Sequence, residues 1–250
     1  MSLTVGVLAL QGGFHEHLSL LKRASSQLSS RISTSISSIE VRTVEDLARC
    51  DALIIPGGES TTISFVAQQS GLFEPLGDFV KVQKKPTWGT CAGLILLSQE
   101  ANATKKGGQA LIGGISVRVH RNHFGRQIES FESPLSLPFL SSSSSTTTSS
   151  VSSSPANGNS GTTFPGIFIR APVVEEVLGD GVEVLARLPG RLGKMKPADM
   201  SEAQTKDDAG DIIAVREGNV LGTSFHPELT SDARIHVWWL EQILQQKGLS

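Results

Sequence analysis

Five residues, Gly89-Thr90-Cys91-Ala92-Gly93, constrain the fold of this 250-residue chain more than any other stretch. They stand between the apolar Pro86-Thr87-Trp88 and the helix-like run Leu94-Ile95-Leu96-Leu97. The spacing predicts a strand, a sharp turn and a helix, with a thiol at the apex. Gly-x-Cys-x-Gly has the layout of the Gly-x-Ser-x-Gly nucleophile elbow, with sulfur replacing the hydroxyl. The flanking glycines lack Cβ atoms, so strand and helix can pack closely while the central residue takes a strained conformation. The N–H groups that open the following helix face the sulfur, an arrangement that favours a thiolate. A lone cysteine is more often an inert core thiol, so the turn needs partners before it counts as a site.

The segments around this turn alternate in period. Val5 to Leu10 reads as a buried strand, Glu16 to Gln27 as an amphipathic helix with Leu18, Leu21 and Leu28 inward, and Ile39 to Val44 as a second strand. A short helix at Glu45 to Arg49 leads to a third strand, Ala52 to Ile55, which ends in Pro56-Gly57-Gly58. Helices follow near Thr61 to Gln69 and Leu72 to Lys81. Short strands separated by helices predict an α/β fold, a mostly parallel central sheet flanked by helices, with catalytic groups at the carboxyl ends of the strands. The second half is more β-like. Leu111 to His120, Gln127 to Phe131, Gly166 to Arg170, Val182 to Ala186, Ile212 to Arg216 and Val220 to Phe225 read as paired strands, several of which are expected to extend the sheet in antiparallel fashion. A helix from Asp232 to Gln246 closes the chain.

Residues 140–163 collapse into serine and threonine, including Ser141 to Ser145 and Thr146 to Thr148. Such a tract buries too little apolar surface to offset its ordering entropy, and is expected to be a disordered insertion in a single domain spanning residues 1–250. A second, polar loop insertion is expected at 190–210. The 38% hydrophobic content suffices for one sizeable core. A net charge of -2 with mixed signs gives no footprint for nucleic acid or an anionic membrane, and no apolar run has the length of a spanning helix. Two cysteines, Cys50 and Cys91, point to reduced thiols rather than a secreted disulfide framework. Because Met1-Ser2 leads straight into a strand, the expected setting is cytoplasmic. No cofactor is expected. His15, Glu16 and His17, or His120 with His123, supply no convincing metal-ligand set.

A thiolate nucleophile needs a base, and the base needs an orienting partner. Phe225-His226-Pro227-Glu228 offers both directly after a strand. On an extended backbone residues two apart project to the same side, which would put His226 and Glu228 on one face. A third element, Pro56-Gly57-Gly58-Glu59-Ser60-Thr61-Thr62, reads as a strand, a double glycine and a helix capped by Ser60. Its backbone N–H groups can approach a substrate oxygen as an oxyanion hole requires, and it lacks the Gly-x-x-x-x-Gly-Lys-Ser/Thr spacing of a phosphate loop.

With these residues assembled, the chain resembles the triad-type (class I) glutamine amidotransferases. More narrowly, Leu10-Gln11-Gly12-Gly13 with Glu16-His17, Pro56 to Thr61, His120-Arg121-Asn122 with Phe124-Gly125, Phe168-Ile169-Arg170-Ala171-Pro172 and Phe225 to Thr230 are similar to motifs of the glutaminase subunits of pyridoxal 5′-phosphate synthases. The resemblance runs from the first strand to the closing helix, interrupted by the two insertions. It implies hydrolysis of L-glutamine to glutamate and ammonia, with ammonia passed to a separate (β/α)₈-barrel synthase subunit. It also implies Cys91 as the nucleophile forming a γ-glutamyl thioester, His226 as general base and acid, and Glu228 as its orienter. Gly58, Glu59, Ser60, Arg121, Ile169 and Arg170 would contact glutamine, with Gly57 and Gly58 near the oxyanion. On chemical grounds Arg121 or Arg170 suits the substrate carboxylate and Glu59 its ammonium. Gln11, Gly12 and Gly13 end the first strand at the same site edge. A stand-alone Cys-His-Glu γ-glutamyl hydrolase or peptidase, and a non-catalytic binding module on the same fold, are the competing readings. The first would need no partner, and the second no intact triad.

Overall fold

Residues whose side chains point alternately to two apolar layers build the centre of the molecule. The structure, a computed structural model, describes residues 2–102, 109–121, 130–141, 163–188 and 211–249. The first half runs β1 (Ser2–Leu8), α1 (Phe14–Leu28), β2 (Ser35–Val41), α2 (Val44–Ala48), β3 (Ala52–Ile55), α3 (Ser60–Gln69), α4 (Phe73–Gly77), β4 (Thr87–Thr90), α5 (Ala92–Leu97) and β5 (Ser98–Asn102). The second half adds β6 (Ile115–His120), β7 (Ser130–Ser136), α6 (Pro138–Ser141), β8 (Thr163–Ile169), β9 (Val173–Val177), β10 (Val182–Leu188), β11 (Asp211–Glu217), β12 (Val220–Thr223) and α7 (Arg234–Gln246). Leu3, Val5 and Val7 of β1, Ala52 and Ile54 of β3 and Trp88 of β4 face one core layer with α1 and α7. Leu8, Leu53 and Ile55 face the other, with α3, α4 and α5. Burial on both faces is why β3, Ala52-Leu53-Ile54-Ile55, reads as a continuous apolar run.

The main sheet has ten strands in the order β2-β1-β3-β4-β12-β11-β9-β6-β5, with β10 added to β11. β2, β1, β3, β4 and β12 are parallel to one another. β11, β9 and β10 contribute the antiparallel pairings, so the α/β class with antiparallel additions is as expected. Because β1, β3, β4 and β12 share a direction, the loops that follow them meet at one edge of the sheet, where ligands bind in open α/β sheets. Among the described residues, no helix is long and apolar enough to cross a membrane.

Several local expectations change. The strands expected at 111–120 and 127–131 are seen as β6 and, from Ser130 on, β7, and these two do not pair: β6 pairs with β5 and β9, whereas β7 pairs with β8 in a separate two-stranded sheet, and 127–129 lie outside the described residues. Phe131 of that hairpin stacks on Phe168 at 4.7 Å, and Leu135, Phe164 and Phe168 fill the same core layer as α7. Hydrophobic docking on a helix layer, rather than edge pairing, therefore sets its place. The helix expected over 72–81 splits into α4 and a π-helical turn, Asp78–Val82. β5 and β9 carry no strand period that the sequence could advertise, since Ser98-Gln99-Glu100-Ala101-Asn102 is polar and Val173-Val174-Glu175-Glu176-Val177 is blocked rather than alternating. Of the two expected insertions, 142–162 and 190–210 lie outside the described residues.

Candidate active site

Cys91 stands between β4 and α5 with φ 47° and ψ -99°, a left-handed conformation that costs a non-glycine residue about 1–3 kcal/mol. Close packing enforces it. A Cβ on Gly93 would lie 2.1 Å from the Ile55 carbonyl oxygen, so only glycine lets α5 start this near β3. The Cys91 N–H donates to the Thr223 carbonyl at 2.8 Å, tying the turn to the end of β12. The side chain is nearly enclosed, and Sγ lies 3.9 Å from the carbonyl oxygen of Ile169 at the end of β8.

Three residues beyond Thr223, the His226 N–H donates to the Ile167 carbonyl at 2.8 Å, so β8 fixes His226 as well. Its Nδ1 lies 2.7 Å from Glu228 Oε1. The extended geometry expected for this pair is absent. Pro227–Leu229 form a single 3₁₀ turn with proline at its first position, and the turn folds Glu228 back beneath the imidazole. Nδ1–H donates to the carboxylate, which leaves Nε2 for Cys91. Burial works against a charged His226, yet attraction to the Cys91 sulfur, a hydrogen bond to Cys91 and the Glu228 carboxylate push its pKa up to about 10. Such a balance favours the charged form of His226 beside the Cys91 sulfur.

The loops after β1 and β3 interlock beside this pair. The Gly13 N–H donates to the Gly57 carbonyl at 3.0 Å, and the Glu59 N–H to Gln11 Oε1 at 2.8 Å. Gly57 leans on the imidazole: a Cβ there would lie 2.3 Å from His226 Cε1. The helix cap differs from the expected one. Glu59, not Ser60, caps α3, accepting from the Thr61 N–H (3.2 Å), the Thr62 N–H (2.6 Å) and Thr62 Oγ1 (2.7 Å). Partial burial opposes its ionisation, but these bonds from Thr62 and Thr61 hold the carboxyl below its usual value. Ser60 is buried and donates instead to Gln109 Oε1 at 3.0 Å.

Arg121 joins the same helix start, with Nη2 3.7 Å from Glu59 Oε1 and 3.3 Å from Thr61 Oγ1. Arg170, exposed at the end of β8, has φ 44°. The structure thus gathers Cys91, His226, Glu228, Gly57 and Gly58 at one sheet edge, and places Glu59, Ser60 and Arg121 together at the start of α3. Ile169 reaches Cys91 through its carbonyl.

Two residues of this neighbourhood escaped the sequence reading. Gln109 lies in a stretch without periodic signal. His17 was named in the Glu16-His17 motif and weighed as a metal ligand beside His15, but was given no role at the site. The helical spacing of His17, Leu21, Ala24 and Leu28 marks one buried face, and that signal was available. His15 faces outward, 3.9 Å from Glu40, so the two histidines point apart. His123 lies outside the described residues.

Comparison with known proteins bears on the whole length. Residues 7–245 match the model of the SNO glutamine amidotransferase family. The chain is 42% identical over 243 residues to a probable pyridoxal 5′-phosphate synthase subunit PDX2 of Arabidopsis thaliana, covering 96% of this chain and 85% of the relative. It is 38% identical to the pyridoxal 5′-phosphate synthase subunit PdxT of Thermococcus onnurineus, covering 97% of this chain and 100% of the relative. A crystal structure of a glutamine amidotransferase superposes with a TM-score of 0.69 at 39% identity, covering 96% of this chain and 98% of the other.

Proposed function

The chain belongs to the SNO glutamine amidotransferase family, and from that premise we propose that it hydrolyses L-glutamine to L-glutamate and ammonia as the glutaminase subunit of a pyridoxal 5′-phosphate synthase, in vitamin B6 biosynthesis. The observation that carries the reading is Cys91, held at φ 47° on its elbow and coupled to a His226 that is itself bound to Glu228 at 2.7 Å.

The Cys91 thiolate attacks the side-chain amide carbon of glutamine. Negative charge develops on the amide oxygen, where the Ala92 N–H and the N–H of the Gly57–Gly58 peptide are the candidate donors. As the first residue of α5, Ala92 has an N–H with no intrahelical partner. The Gly57 carbonyl is held by Gly13, so the N–H of that trans peptide points the opposite way. As the carbon–nitrogen bond breaks, imidazolium His226 gives its proton to the leaving nitrogen, releasing ammonia and leaving a γ-glutamyl thioester. Neutral His226 then takes a proton from water, and the hydroxide attacks the thioester carbon. Glutamate leaves, and the thiolate and imidazolium are restored. Glu228 holds the ring in the tautomer that both steps need.

Gly58, Glu59, Ser60, Arg121, Ile169 and Arg170 form the glutamine pocket, with Glu59 for the ammonium and an arginine for the carboxylate. All of this belongs to one amidotransferase domain spanning residues 1–250, acting in the cytoplasm beside a (β/α)₈-barrel synthase subunit that uses the ammonia. Ammonia release from glutamine, measured with the purified chain alone and with a matching synthase subunit, tests the reading. Turnover should rise on adding the synthase and vanish in Cys91→Ala. Equal turnover with and without synthase would favour a stand-alone γ-glutamyl hydrolase.

A further inference from the structure

Behind the triad lies a buried polar cluster that the hydrolytic steps do not use. His17 on α1 and His236 on α7 are both completely buried, although a buried imidazole is costly unless its nitrogens are paired. His17 Nδ1 lies 3.0 Å from His236 Nε2. His17 Nε2 lies 3.2 Å from Thr90 Oγ1, one residue before the nucleophile, and 3.4 Å from Glu228 Oε2. Trp88 walls the cluster, its ring centroid 4.9 Å from that of His236 and 5.7 Å from that of His17. Glu228 is held at Oε1 by His226, while Oε2 is buried and has no hydrogen bond among the described residues. The side-chain nitrogen that faces that oxygen is His17 Nε2, 3.4 Å away.

The tautomers follow from the partners. His236 Nδ1 is buried with no hydrogen bond among the described residues. A bare lone pair there costs less than an orphaned N–H, which places the His236 proton on Nε2, donating to His17 Nδ1. The His17 proton is then on Nε2, in the gap between Thr90 Oγ1 and Glu228 Oε2. The opposite assignment would aim a lone pair at a carboxylate oxygen and strand an N–H on His236. Both rings are neutral: burial, then the charges of His236 and His226, hold His17 well below the ordinary imidazole value, and burial takes His236 to about 3.

We propose that His17, itself oriented by His236, is a positioning residue of the hydrolytic site: its Nε2–H restrains Oε2 of Glu228, so that Oε1 stays on His226 Nδ1. The elements involved come from opposite ends of the chain: α1 and the 3₁₀ turn after β12 bring His17 to Glu228, while α7 and the end of β4 hold His17 through His236 and Thr90. The ionisable groups that face it are His17, His226 and, through His226, Cys91, with His236 behind His17 and Asp232 acting on His236. Loss of His17 therefore leaves Oε2 without a facing donor, frees the carboxylate to turn away from His226 Nδ1 and weakens the Cys91–His226 pair.

The inference rests on the hydrolase reading, and its test separates the two. His17→Leu and His17→Gln are compared in the full chain with its synthase. Glutamine turnover is one readout, and the pH profile of Cys91 alkylation by iodoacetamide, localised to that residue by mass spectrometry, is the other. A Gln amide nitrogen can replace Nε2 as donor, whereas Leu fills the space without one. In His17→Leu, kcat should fall about tenfold, a change of about 1.4 kcal/mol, the size of a hydrogen bond to a charged group, with KM within about twofold. The acid limb of its alkylation profile should move to higher pH. His17→Gln should recover most of both. Equal or better performance of Leu, or losses that follow the unfolding temperature of each variant with an unmoved alkylation profile, would overturn the proposal. A wild-type chain that releases no ammonia overturns the hydrolase reading instead, and the alkylation series still decides the role of His17.

Discussion

Strain and close approach at single residues set the chemistry. Cys91 keeps a positive φ because Gly93 lets α5 sit against β3, and Gly57 lets the loop after β3 lie against the base. Adding one methyl at Gly57 would place carbon 2.3 Å from His226 Cε1 and 2.5 Å from Nδ1. Gly57→Ala should therefore displace the imidazole, lowering kcat at least about tenfold while overpacking costs about 1–3 kcal/mol of stability; steady-state kinetics with a denaturant titration checks both. The histidines also give stability a definite pH dependence. His17 and His236 are depressed below 6.5 in the folded chain, so their contribution is present above pH 6.5 and lost as pH falls below it, when the unfolded chain takes up protons. His226, raised to about 10, acts in reverse: its contribution is present below pH 6.5 and lost as pH rises towards 10. His236→Phe should therefore lose less stability between pH 7.5 and 5 than the wild type, read as the shift in urea midpoint. An equal shift in both proteins would contradict the assignment of a neutral, buried His236. At this scale the grouping of Cys91, His226 and Glu228 was legible because glycine spacing and His-x-Glu are chemical signals. The Glu59 cap was not, since Glu59 and Ser60 are adjacent and either side chain can reach the first free N–H groups of α3.

At the scale of elements, the parallel strands were legible and their partners in the second half were not. Leu53-Ile54-Ile55 announces a strand buried on both faces, and β1, β3 and β4 follow in that way. β5 is polar, and β7 looks like any short strand until its aromatic residues find the α7 layer, so pairing there is a tertiary decision. The β7–β8 hairpin matters for the site: Ile167 holds the His226 N–H, and the Ile169 carbonyl lies 3.9 Å from Cys91 Sγ. Phe168, fully buried and stacked on Phe131, anchors it. Phe168→Ala should cost about 3–5 kcal/mol and lower kcat in the folded fraction, measured at a temperature where circular dichroism shows the variant folded. Full kcat with that loss of stability would show that the hairpin supports the fold without positioning the base.

Taken whole, the molecule brings four parallel strand ends to one sheet edge and locks the loops after them to one another, so distant segments make one site. Chain connectivity also explains why long polar tracts are tolerable. Ser136 of β7 pairs with Thr163 of β8, and Leu188 of β10 pairs with Asp211 of β11, so each tract departs from and returns to neighbouring strand ends. Loop length between closed ends changes stability only slowly. Deleting Ser141 to Ser154 should accordingly leave glutamine hydrolysis with the synthase and the unfolding temperature close to wild type; loss of activity in a folded variant would give that tract a function. The central claim is covalent catalysis by Cys91, and the most direct measurement is mass spectrometry of the chain quenched in acid during turnover of glutamine with its synthase. The account predicts a glutamyl adduct on the peptide containing Cys91, with neither adduct nor ammonia in Cys91→Ala. Ammonia release that persists in Cys91→Ala, or an adduct on another residue, would contradict it.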